Sequence, residues 1–467
     1  PWAGKAYEYR PPSKVRSQEA LSIKLFGSSG IRGIANVDIT PLLAQKVGTA
    51  IASMFEGGAV LIGKDTRLSG EMIELALSSG FVSSGLVVGT LGVIPTPVVA
   101  WLTREMQAEA GVSITASHNP PQYNGLKIFD STGMAYTMKK QERLEELVQK
   151  GEFTTSEWNR VGHVEAMDLK RLYIEAISNL IEAPLERRII CDLFNGATTT
   201  IAKDLFEELG SQTIMINAQP DGYFPAGNPE PNKESLERLG KMIRDSGAEI
   251  GFGFDGDGDR MIPVDENGVT PSPDRVLAAY AGYIVRANGG GTVVTHVGAS
   301  MSVEEAVEEA EGSVIRTKVG DVHVTEAMLE TGAIFGGEPI GAWIHPDVHF
   351  CPDGILSAIR LIQALDSEEK TLSQFVSGIP AYPIYRAKVS CQNLKKQAAM
   401  DSISNIETEF GEVTNISKVD GVRFQLEDGW VLIRPSGTEP FIRITVEAHD
   451  EERAKGLLET SKKFVQL

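Results

Sequence analysis

Short apolar runs alternate with amphipathic stretches through the first three quarters of the chain. Three segments, 59–88, 188–216 and 292–316, repeat the order strand, loop, helix, strand. Each segment spans roughly 30 residues, which is the length of a βαβ crossover. The pattern predicts three related α/β domains in series, with strands at 188–192 and 212–216 and helices at about 70–84, 200–209 and 303–310.

The last quarter of the chain predicts a different module, of the α+β class. Alternation predicts strands at 382–389 and 441–447 around a hairpin of 422–426 and 430–433, and an amphipathic helix follows at 451–465. We therefore divide the chain into an N-terminal tail, three α/β domains and one α+β domain, bounded at 1–22, 23–165, 166–268, 269–378 and 379–467.

Composition narrows the class of protein. The chain has 467 residues, 42% hydrophobic and 23% charged, which is ordinary for a globular protein. Its formal net charge of −19 argues against a nucleic-acid partner, so an anionic substrate has to be captured by local basic clusters. No apolar run approaches ~20 residues, so no membrane span is expected. The first 20 residues are polar and basic and do not resemble a signal peptide.

The cysteines indicate the compartment. Cys191, Cys351 and Cys391 are far apart in the sequence, which matches neither a disulfide framework nor a metal-ligand spacing. We therefore expect a reducing cytoplasm.

A serine nucleophile is the first candidate for chemistry. Ser117 lies beside His118 in the turn 115–120, and a short apolar run at 111–114 leads into it like a buried strand. A serine on such a loop can carry a covalently bound group. The serine–histidine pair also suggests a hydrolase, but no acidic third member stands out to orient His118.

An acidic loop is the second candidate. Asp255, Asp257 and Asp259 alternate with glycines, and three carboxylates so close together favour a bound Mg²⁺ or Ca²⁺. One alternative is an EF-hand, because Glu266 is twelfth from Asp255, yet Arg260 stands where that loop needs glycine. A solvated acidic loop without an ion is the other alternative.

A turn near the C-terminus is a candidate anion cradle. It combines two arginines with two hydroxyls and successive backbone N–H groups that can bind phosphate oxygens. The alternative is an ordinary Ser-Gly-Thr turn with surface arginines. The residues are Arg434, Ser436, Gly437, Thr438 and Arg443.

We expect three further candidate side chains to lie in loops. Arg32, in the glycine-rich loop 26–33, offers a cation to the site or is simply a surface arginine. The glycine spacing of this loop matches neither a dinucleotide fingerprint nor a Walker A sequence. Glu338 can accept bonds from two adjacent sugar hydroxyls, or it is a simple β-turn glutamate. Lys127 follows Ser117 by ten residues, and we expect either a lowered pKa in a field of positive charge with a role as proton carrier, or an ordinary solvated lysine.

Four motifs occur in one order, and together they resemble the α-D-phosphohexomutase superfamily of phosphoglucomutases, phosphomannomutases and phosphoglucosamine mutases. The resemblance runs from about Ile23 to the C-terminus and includes the loop 26–33 and the segment 224–231. It implies a four-domain, heart-shaped α/β enzyme of the isomerase class with a central cleft. Monomer and homodimer both stay open. The motifs are 115–120, 255–260, 337–341 and 434–440.

The resemblance also implies a reaction. A hexose 1-phosphate and its 6-phosphate interconvert through a phosphoserine at Ser117 and a bisphosphorylated sugar intermediate. The intermediate reorients by about half a turn in the cleft, and the same bisphosphorylated sugar serves as activator. One Mg²⁺ per chain is bound by Ser117 and the three aspartates, and Lys127 carries the proton. Arg32 neutralises charge, His118 and Arg260 shape the site, Lys318 contacts the substrate, and Glu338 binds the 3- and 4-hydroxyls. The cradle binds the phosphate that is not reacting.

The loop 337–342, which we call the sugar loop because it contains Glu338, departs from the superfamily pattern. Ile340 and Ala342 stand where a serine and a histidine are usual, and Ser28 replaces a threonine. The loop resembles archaeal-type members. His345, His349 and His323 are candidates to replace the missing imidazole. The substrate stays open between glucosamine phosphate and mannose or glucose phosphates, and two alternatives are a non-catalytic sugar-phosphate-binding protein and a calcium-binding structural protein.

Overall fold

The computed structural model describes residues 25–27, 30–392, 395–403, 407–436 and 440–465. It contains four sheets, one for each of four successive parts of the chain. Within these ranges every helix is too short or too polar to span a lipid bilayer.

The first part is a six-stranded sheet of order β1-β5-β4-β2-β3-β6. Strands β2, β3, β4 and β6 are parallel, whereas β5 runs antiparallel to both of its neighbours. Its elements are β1 (Ile31–Ile34), α1 (Pro41–Ala52), β2 (Ala59–Lys64), α2 (Gly70–Ser83), β3 (Val87–Val93), α3 (Thr96–Glu105), β4 (Ala110–Ile114), β5 (Tyr123–Asp130), α4 (Met138–Lys150) and β6 (Val164–Ala166). Strand β6 ends one residue beyond the predicted end of the first domain at 165.

The second part has a four-stranded sheet of order β10-β9-β7-β8. Strand β9 is buried along its whole length, as expected for a strand covered on both faces. The predicted helix at 200–209 begins instead with a 3₁₀ turn over Ala197–Thr200. The elements are α5 (Lys170–Asn179), β7 (Arg188–Asp192), α6 (Ala202–Glu208), β8 (Gln212–Ile216), α7 (Glu237–Ser246), β9 (Ile250–Phe254) and β10 (Met261–Val264).

The third part has a four-stranded sheet of order β12-β11-β13-β14 in which β12, β11 and β13 are parallel. Its elements are α8 (Pro273–Asn288), β11 (Gly291–His296), α9 (Ser302–Glu309), β12 (Gly312–Thr317), α10 (Asp321–Thr331), β13 (Phe335–Glu338), β14 (Ala342–Ile344), α11 (Gly354–Ser367) and α12 (Leu372–Ser377).

The fourth part is an antiparallel five-stranded sheet of order β15-β19-β18-β17-β16 with helices on it, which agrees with the predicted α+β module. Its elements are β15 (Ile384–Ser390), α13 (Lys396–Ile403), β16 (Val413–Ser417), β17 (Val422–Leu426), β18 (Gly429–Pro435), β19 (Phe441–Ala448) and α14 (Glu451–Val465).

The hydrophobic core is shared unevenly among the four parts. One large cluster runs through the first three parts, where Trp101 of α3 packs edge-on against Tyr173 of α5 with ring centroids 5.7 Å apart. The fourth part has its own core, and a small cluster that includes Met301 and Trp430 joins it to the third. The first three parts therefore share one hydrophobic core, and the fourth part has a separate core and packs against the third.

Candidate active site

Ser117 lies just beyond the carboxyl end of β4 and is fully buried. Its φ of +51° is in the left-handed region, which is uncommon and strained for a residue other than glycine. Its N–H donates to the Thr115 hydroxyl at 2.8 Å, and its own hydroxyl donates to Asp255 Oδ2 at 2.5 Å. His118 Nδ1 is 3.3 Å from the same hydroxyl. The conformation aims Ser117 at the acidic loop of the second part.

Arg67 holds this conformation in place. Its guanidinium is buried and donates to four backbone carbonyl oxygens of the loop at 2.6–2.9 Å, those of Ser117, Asn119, Pro120 and Tyr123. Its Nε donates to Asp65 at 2.9 Å, and Asp65 also accepts from the Thr115 hydroxyl. Because the backbone itself is bound, the loop is organised before any ligand arrives.

The acidic loop meets the serine loop at very close range. A side chain at Gly256 would place its Cβ 2.6 Å from the carbonyl oxygen of Ser117, so only glycine fits there. The first and second parts of the chain therefore share one site at their contact.

Asp255, Asp257 and Asp259 form a buried cluster whose ligand oxygens lie within 4.8 Å of one another. The Oδ1 atoms of Asp257 and Asp259 are buried without a hydrogen-bond partner in the described part of the chain. Burial, and then the two neighbouring carboxylates, raise the pKa of Asp255 well above its ordinary value. Oxygens left without a donor in this way fit a hard divalent cation.

Lys127 of β5 faces this cluster, donating to Asp257 at 2.8 Å and also to Asp259. Burial lowers the pKa of Lys127, but the two carboxylates more than offset burial, so the pKa lies above its ordinary value. The prediction of a lowered pKa was wrong, because the nearest charges are negative. Lys127 is therefore a protonated side chain at neutral pH.

Two arginines and one histidine surround the serine. Arg32 of β1 donates to the Asn119 side chain at 3.4 Å, and the Arg260 guanidinium lies 3.8 Å from Asp259. Burial, and then the charges of Arg260 and Arg32, lower the pKa of His118 to about 3. The imidazole is therefore neutral, and the arginines supply the positive charge.

Glu338 ends β13 and accepts the N–H of Gly320 at 3.0 Å. Burial, and then the nearby charge of Asp321, raise its pKa to about 7. The turn after it requires glycine at 341, where φ is +80° and a Cβ would lie 1.9 Å from the Met261 carbonyl oxygen. Glu338 is thus a buried carboxylate on a tightly defined turn.

Arg434 and Arg443 are directly opposite each other on β18 and β19, and Lys388 of β15 is opposite Arg443. Directly opposite residues share a sheet face, and like charges there repel, so this cationic stripe is suited to an anion. Asp420 accepts from Arg434 at 2.8 Å. Ser436 is buried, and its carbonyl oxygen accepts from Lys396 at 2.6 Å. Gly437 and Thr438 lie outside the described residues.

Comparison with known proteins gives matches to four profiles of one family, in order along the chain. Residues 23–155, 171–268 and 272–382 match α/β/α domains I, II and III of the phosphoglucomutase/phosphomannomutase family, and residues 387–461 match its C-terminal domain. The chain belongs to the phosphoglucomutase/phosphomannomutase family. The predicted superfamily and the predicted four-part α/β fold are thereby confirmed.

Relatives within the family resemble the chain along nearly all its length. A probable phosphoglucosamine mutase of Pyrococcus abyssi is 42% identical over 444 residues, covering 95% of this chain and 98% of the relative. The phosphoglucosamine mutase of Methanocaldococcus jannaschii is 42% identical over 449 residues, with the same coverage. The resemblance to archaeal members agrees with the form of the sugar loop.

Solved structures of the family share the fold. A phosphoglucomutase/phosphomannomutase family protein of Burkholderia thailandensis superposes with a TM-score of 0.85 at 27% identity, covering 95% of this chain and 97% of that one. A putative phosphomannomutase of Thermus thermophilus gives a TM-score of 0.80 at 26% identity, covering 96% and 100%.

The structure of this family member brings most of the predicted site residues together. Ser117, His118, Lys127, Arg32, Arg260 and the three aspartates meet where the first two parts touch. Lys318 is exposed at the end of β12, where the described residues provide it with no ion pair.

The histidines suggested as substitutes at the sugar loop are engaged elsewhere. His345 is buried beside Ser357 at 3.1 Å, and His349 is buried 3.0 Å from Asp353. His323 lies on α10 with its ring 3.7 Å from Glu326.

Sequence reasoning missed several site residues. The most important is Arg67, whose role depends on loop carbonyls 50 to 56 positions away. Thr96, which donates to Asp257 at 2.7 Å, and Lys388 were also missed. Asp321 lies three residues after Lys318, which was predicted to contact the substrate, and that closeness in sequence was the available signal for Asp321.

Proposed function

We propose that this chain is a phosphohexomutase in which Ser117 carries the phosphoryl group between the 1- and 6-positions of a hexose phosphate. The observation that carries the proposal is the 2.5 Å contact from the Ser117 hydroxyl to Asp255, inside a buried cluster of three carboxylates. A hydrolytic triad is not supported, because the Ser117 hydroxyl donates to Asp255 and, among the described residues, His118 is hydrogen-bonded to no carboxylate that could orient it.

One Mg²⁺ per chain would be held by Asp255, Asp257, Asp259 and the phosphoryl oxygens on Ser117. The orphaned oxygens of Asp257 and Asp259 support this assignment. When bound, the ion supplies positive charge to the transferring group.

The side chains around Ser117 do the remaining work. Arg32 and Arg260 neutralise charge on the phosphoryl group, and neutral His118 shapes the wall of the site. In transfer, the Ser117 Oγ–P bond breaks while a bond from phosphorus to the sugar oxygen forms. Lys127 is the proton carrier: its raised pKa means that it starts the cycle protonated, so it donates its proton to the departing Ser117 Oγ and takes up the proton that the sugar hydroxyl releases.

The sugar and its second phosphate are held by the third and fourth parts. Glu338 binds the 3- and 4-hydroxyls, which occupy similar places in both orientations of the bisphosphorylated intermediate, and Lys318 is a further contact. The phosphate that is not reacting is bound by the cradle of Arg434, Ser436, Gly437, Thr438 and Arg443.

Glucosamine phosphate is the first candidate substrate. The named activities of the archaeal relatives support it, and mannose and glucose phosphates are the alternatives. The enzyme would be a monomer or homodimer. The three cysteines are free, which supports the proposal of a reducing cytoplasm.

The test is a ranked comparison of kcat/KM on glucosamine, mannose and glucose phosphates, with a catalytic amount of the matching sugar bisphosphate as activator. We expect turnover, with glucosamine phosphate first, and one phosphoryl adduct mapped to Ser117 by mass spectrometry. Absence of turnover on all three sugar phosphates would refute the proposed mutase activity. If the protein then binds these sugars without ever accepting an adduct, it is the non-catalytic binder instead.

A further inference from the structure

His296 lies beside Glu338 at one edge of the third sheet. Strands β11 and β13 are parallel, and their register pairs Val294 with Gly336, which brings His296 level with Glu338. The Thr295 hydroxyl donates to the Gly337 carbonyl oxygen at 2.7 Å and ties the two strand ends together. Carboxyl ends of parallel strands form the ligand-binding edge of an α/β sheet.

The tautomer of His296 follows from its backbone neighbour. The N–H of Gly298 donates to Nδ1 at 3.0 Å, so Nδ1 is the acceptor and Nε2 carries the hydrogen. Burial, and then the charges of Arg316 and Arg434, lower the pKa of His296 to about 3, so the ring is neutral. The Nε2–H is therefore a fixed donor.

The distance between this donor and Glu338 has a chemical meaning. His296 Nε2 is 3.8 Å from Glu338 Oε1, which is too long for a direct hydrogen bond. Both side chains are buried. A donor and a carboxyl oxygen at this separation suit a group that accepts from the donor and donates to the oxygen, and a hydroxyl does both.

No other side chain of the sugar loop can donate a hydrogen bond to a sugar hydroxyl beside Glu338. Ile340 and Ala342 have no polar side-chain atom, and the described residues provide no hydrogen-bond donor to Glu338 Oε2. Other imidazoles of this part face elsewhere, since His345 and His349 are buried against Ser357 and Asp353.

We propose that His296 is a substrate-positioning residue whose Nε2–H donates to a sugar hydroxyl that itself donates to Glu338. The inference rests on the proposed function, because it requires a hexose phosphate in the cleft. It assigns the orientation of the sugar to a side chain of β11 that lies outside the sugar loop.

A matched pair of variants tests the donor. His296→Asn keeps a polar atom near Gly298 but removes the donor at the Nε2 position, whereas His296→Gln places an amide N–H near that position. We expect kcat/KM to fall roughly tenfold in His296→Asn and to be largely retained in His296→Gln. The surface histidine His163, paired with Glu165, provides the control variant His163→Gln, with unchanged activity.

Substrates lacking one hydroxyl separate positioning from a structural effect. Wild type and His296→Asn are compared on the parent sugar phosphate and on its 3-deoxy and 4-deoxy analogues. We expect the loss to disappear on at least one analogue, where the two enzymes agree within about twofold, because the contacted hydroxyl is already gone.

Two outcomes would overturn the inference. One is a His296→Asn enzyme as active as His163→Gln on the parent sugar, and the other is an equal loss on the parent and both analogues. Failure of the proposed function looks different, because wild type itself would then turn over none of the sugar phosphates.

Discussion

The serine site and the sugar site of this molecule are built in contrasting ways. Ser117, Asp255 and Asp257 are fully buried at 0% exposure, and Arg67 binds the loop through four backbone carbonyls. On the sugar side, Ile340 is 40% exposed and Lys318 is also exposed. The serine site is buried and held rigidly by many hydrogen bonds, whereas the sugar site includes side chains that are exposed to solvent.

The two sites also differ in how their parts are joined. The serine and metal loops are in direct contact, because Ser117 donates to Asp255 at 2.5 Å and Gly256 leaves no room for a Cβ beside the Ser117 carbonyl oxygen. Beside the phosphate cradle, Asp420, the partner of Arg434, accepts the Val319 N–H of the third part at the longer distance of 3.4 Å. Transfer of the charged phosphoryl group is fastest when the surrounding dipoles are already oriented and do not have to reorganise. The sugar site, in contrast, needs space because the bisphosphorylated sugar has to change its orientation there. The contrast predicts that changes at the serine site abolish chemistry and changes at the sugar site alter substrate binding.

The largest effect is expected from removing the nucleophile. Ser117→Ala should lower kcat by roughly 10⁴-fold or more, because the phosphoryl carrier is lost. The fold should be unaffected, since Arg67 binds backbone atoms of the loop. Steady-state kinetics and intact mass measure both consequences. A Ser117→Ala enzyme that still accepts a phosphoryl group on this loop would contradict the assignment.

Removing the metal site should come next. Asp257→Asn, or chelation of divalent cations, should lower kcat by about 10³-fold. Adding Mg²⁺ back should restore the chelated wild type but not the variant. The control is Asp245→Asn on α7, where the carboxylate pairs with exposed Lys241. Full activity in a thoroughly chelated wild type would remove the metal from the proposal.

Arg67→Met tests how strongly the serine loop is held. Four carbonyl oxygens and the buried Asp65 lose the guanidinium as a donor, so the free energy of unfolding should fall by about 3–5 kcal/mol and kcat should fall with it. Urea denaturation measures the stability. Arg143→Met, which removes an exposed pair with Glu146, should change little. Equal stability of the two variants would mean that the serine loop keeps its conformation without the hydrogen bonds from Arg67.

Glu338→Gln tests the sugar side through pH. In wild type, kcat/KM should rise as pH passes about 7, because Glu338 accepts sugar hydroxyls when ionised. The variant should lose this step and be slower by roughly 10²-fold at pH 8. A variant with an unchanged pH profile would show that another group titrates.

The same carboxyl affects stability with a defined sign. Its folded pKa of about 7 exceeds the ordinary 4.5, so the folded protein binds the proton more tightly and loses stability as pH rises between these values. The stability of Glu338→Gln relative to wild type should therefore increase from pH 4.5 to pH 7, by roughly 3 kcal/mol at most. Thermal unfolding at several pH values measures the difference.

The smallest effect is expected at the edge of the cradle. Lys388→Gln removes one exposed cation from the stripe with Arg434 and Arg443, so KM should rise by about two- to fivefold with little change in kcat. Added salt should shrink the difference. Lys455→Gln on α14, where the lysine pairs with Glu451, is the control and should leave KM unchanged.

The sequence by itself determined the architecture and the chemical inventory. Strands β7, β8 and β17 and helix α14 have the predicted bounds, because alternation and amphipathic periodicity are local properties. The order of the motifs identified the family. Aspartates that alternate with glycines are close neighbours in almost any conformation, so a metal-type cluster was predictable without the fold.

Only the tertiary structure decided which charges and imidazoles meet. Lys127 was expected in a positive field, but domain packing sets it against Asp257, 130 positions away, which reverses the direction of its pKa shift. His296 was not singled out among the histidines, because its place beside Glu338 depends on parallel strands 42 residues apart. Local patterns specify which groups are present, whereas their electrostatic environment depends on distances that the assembled sheets impose.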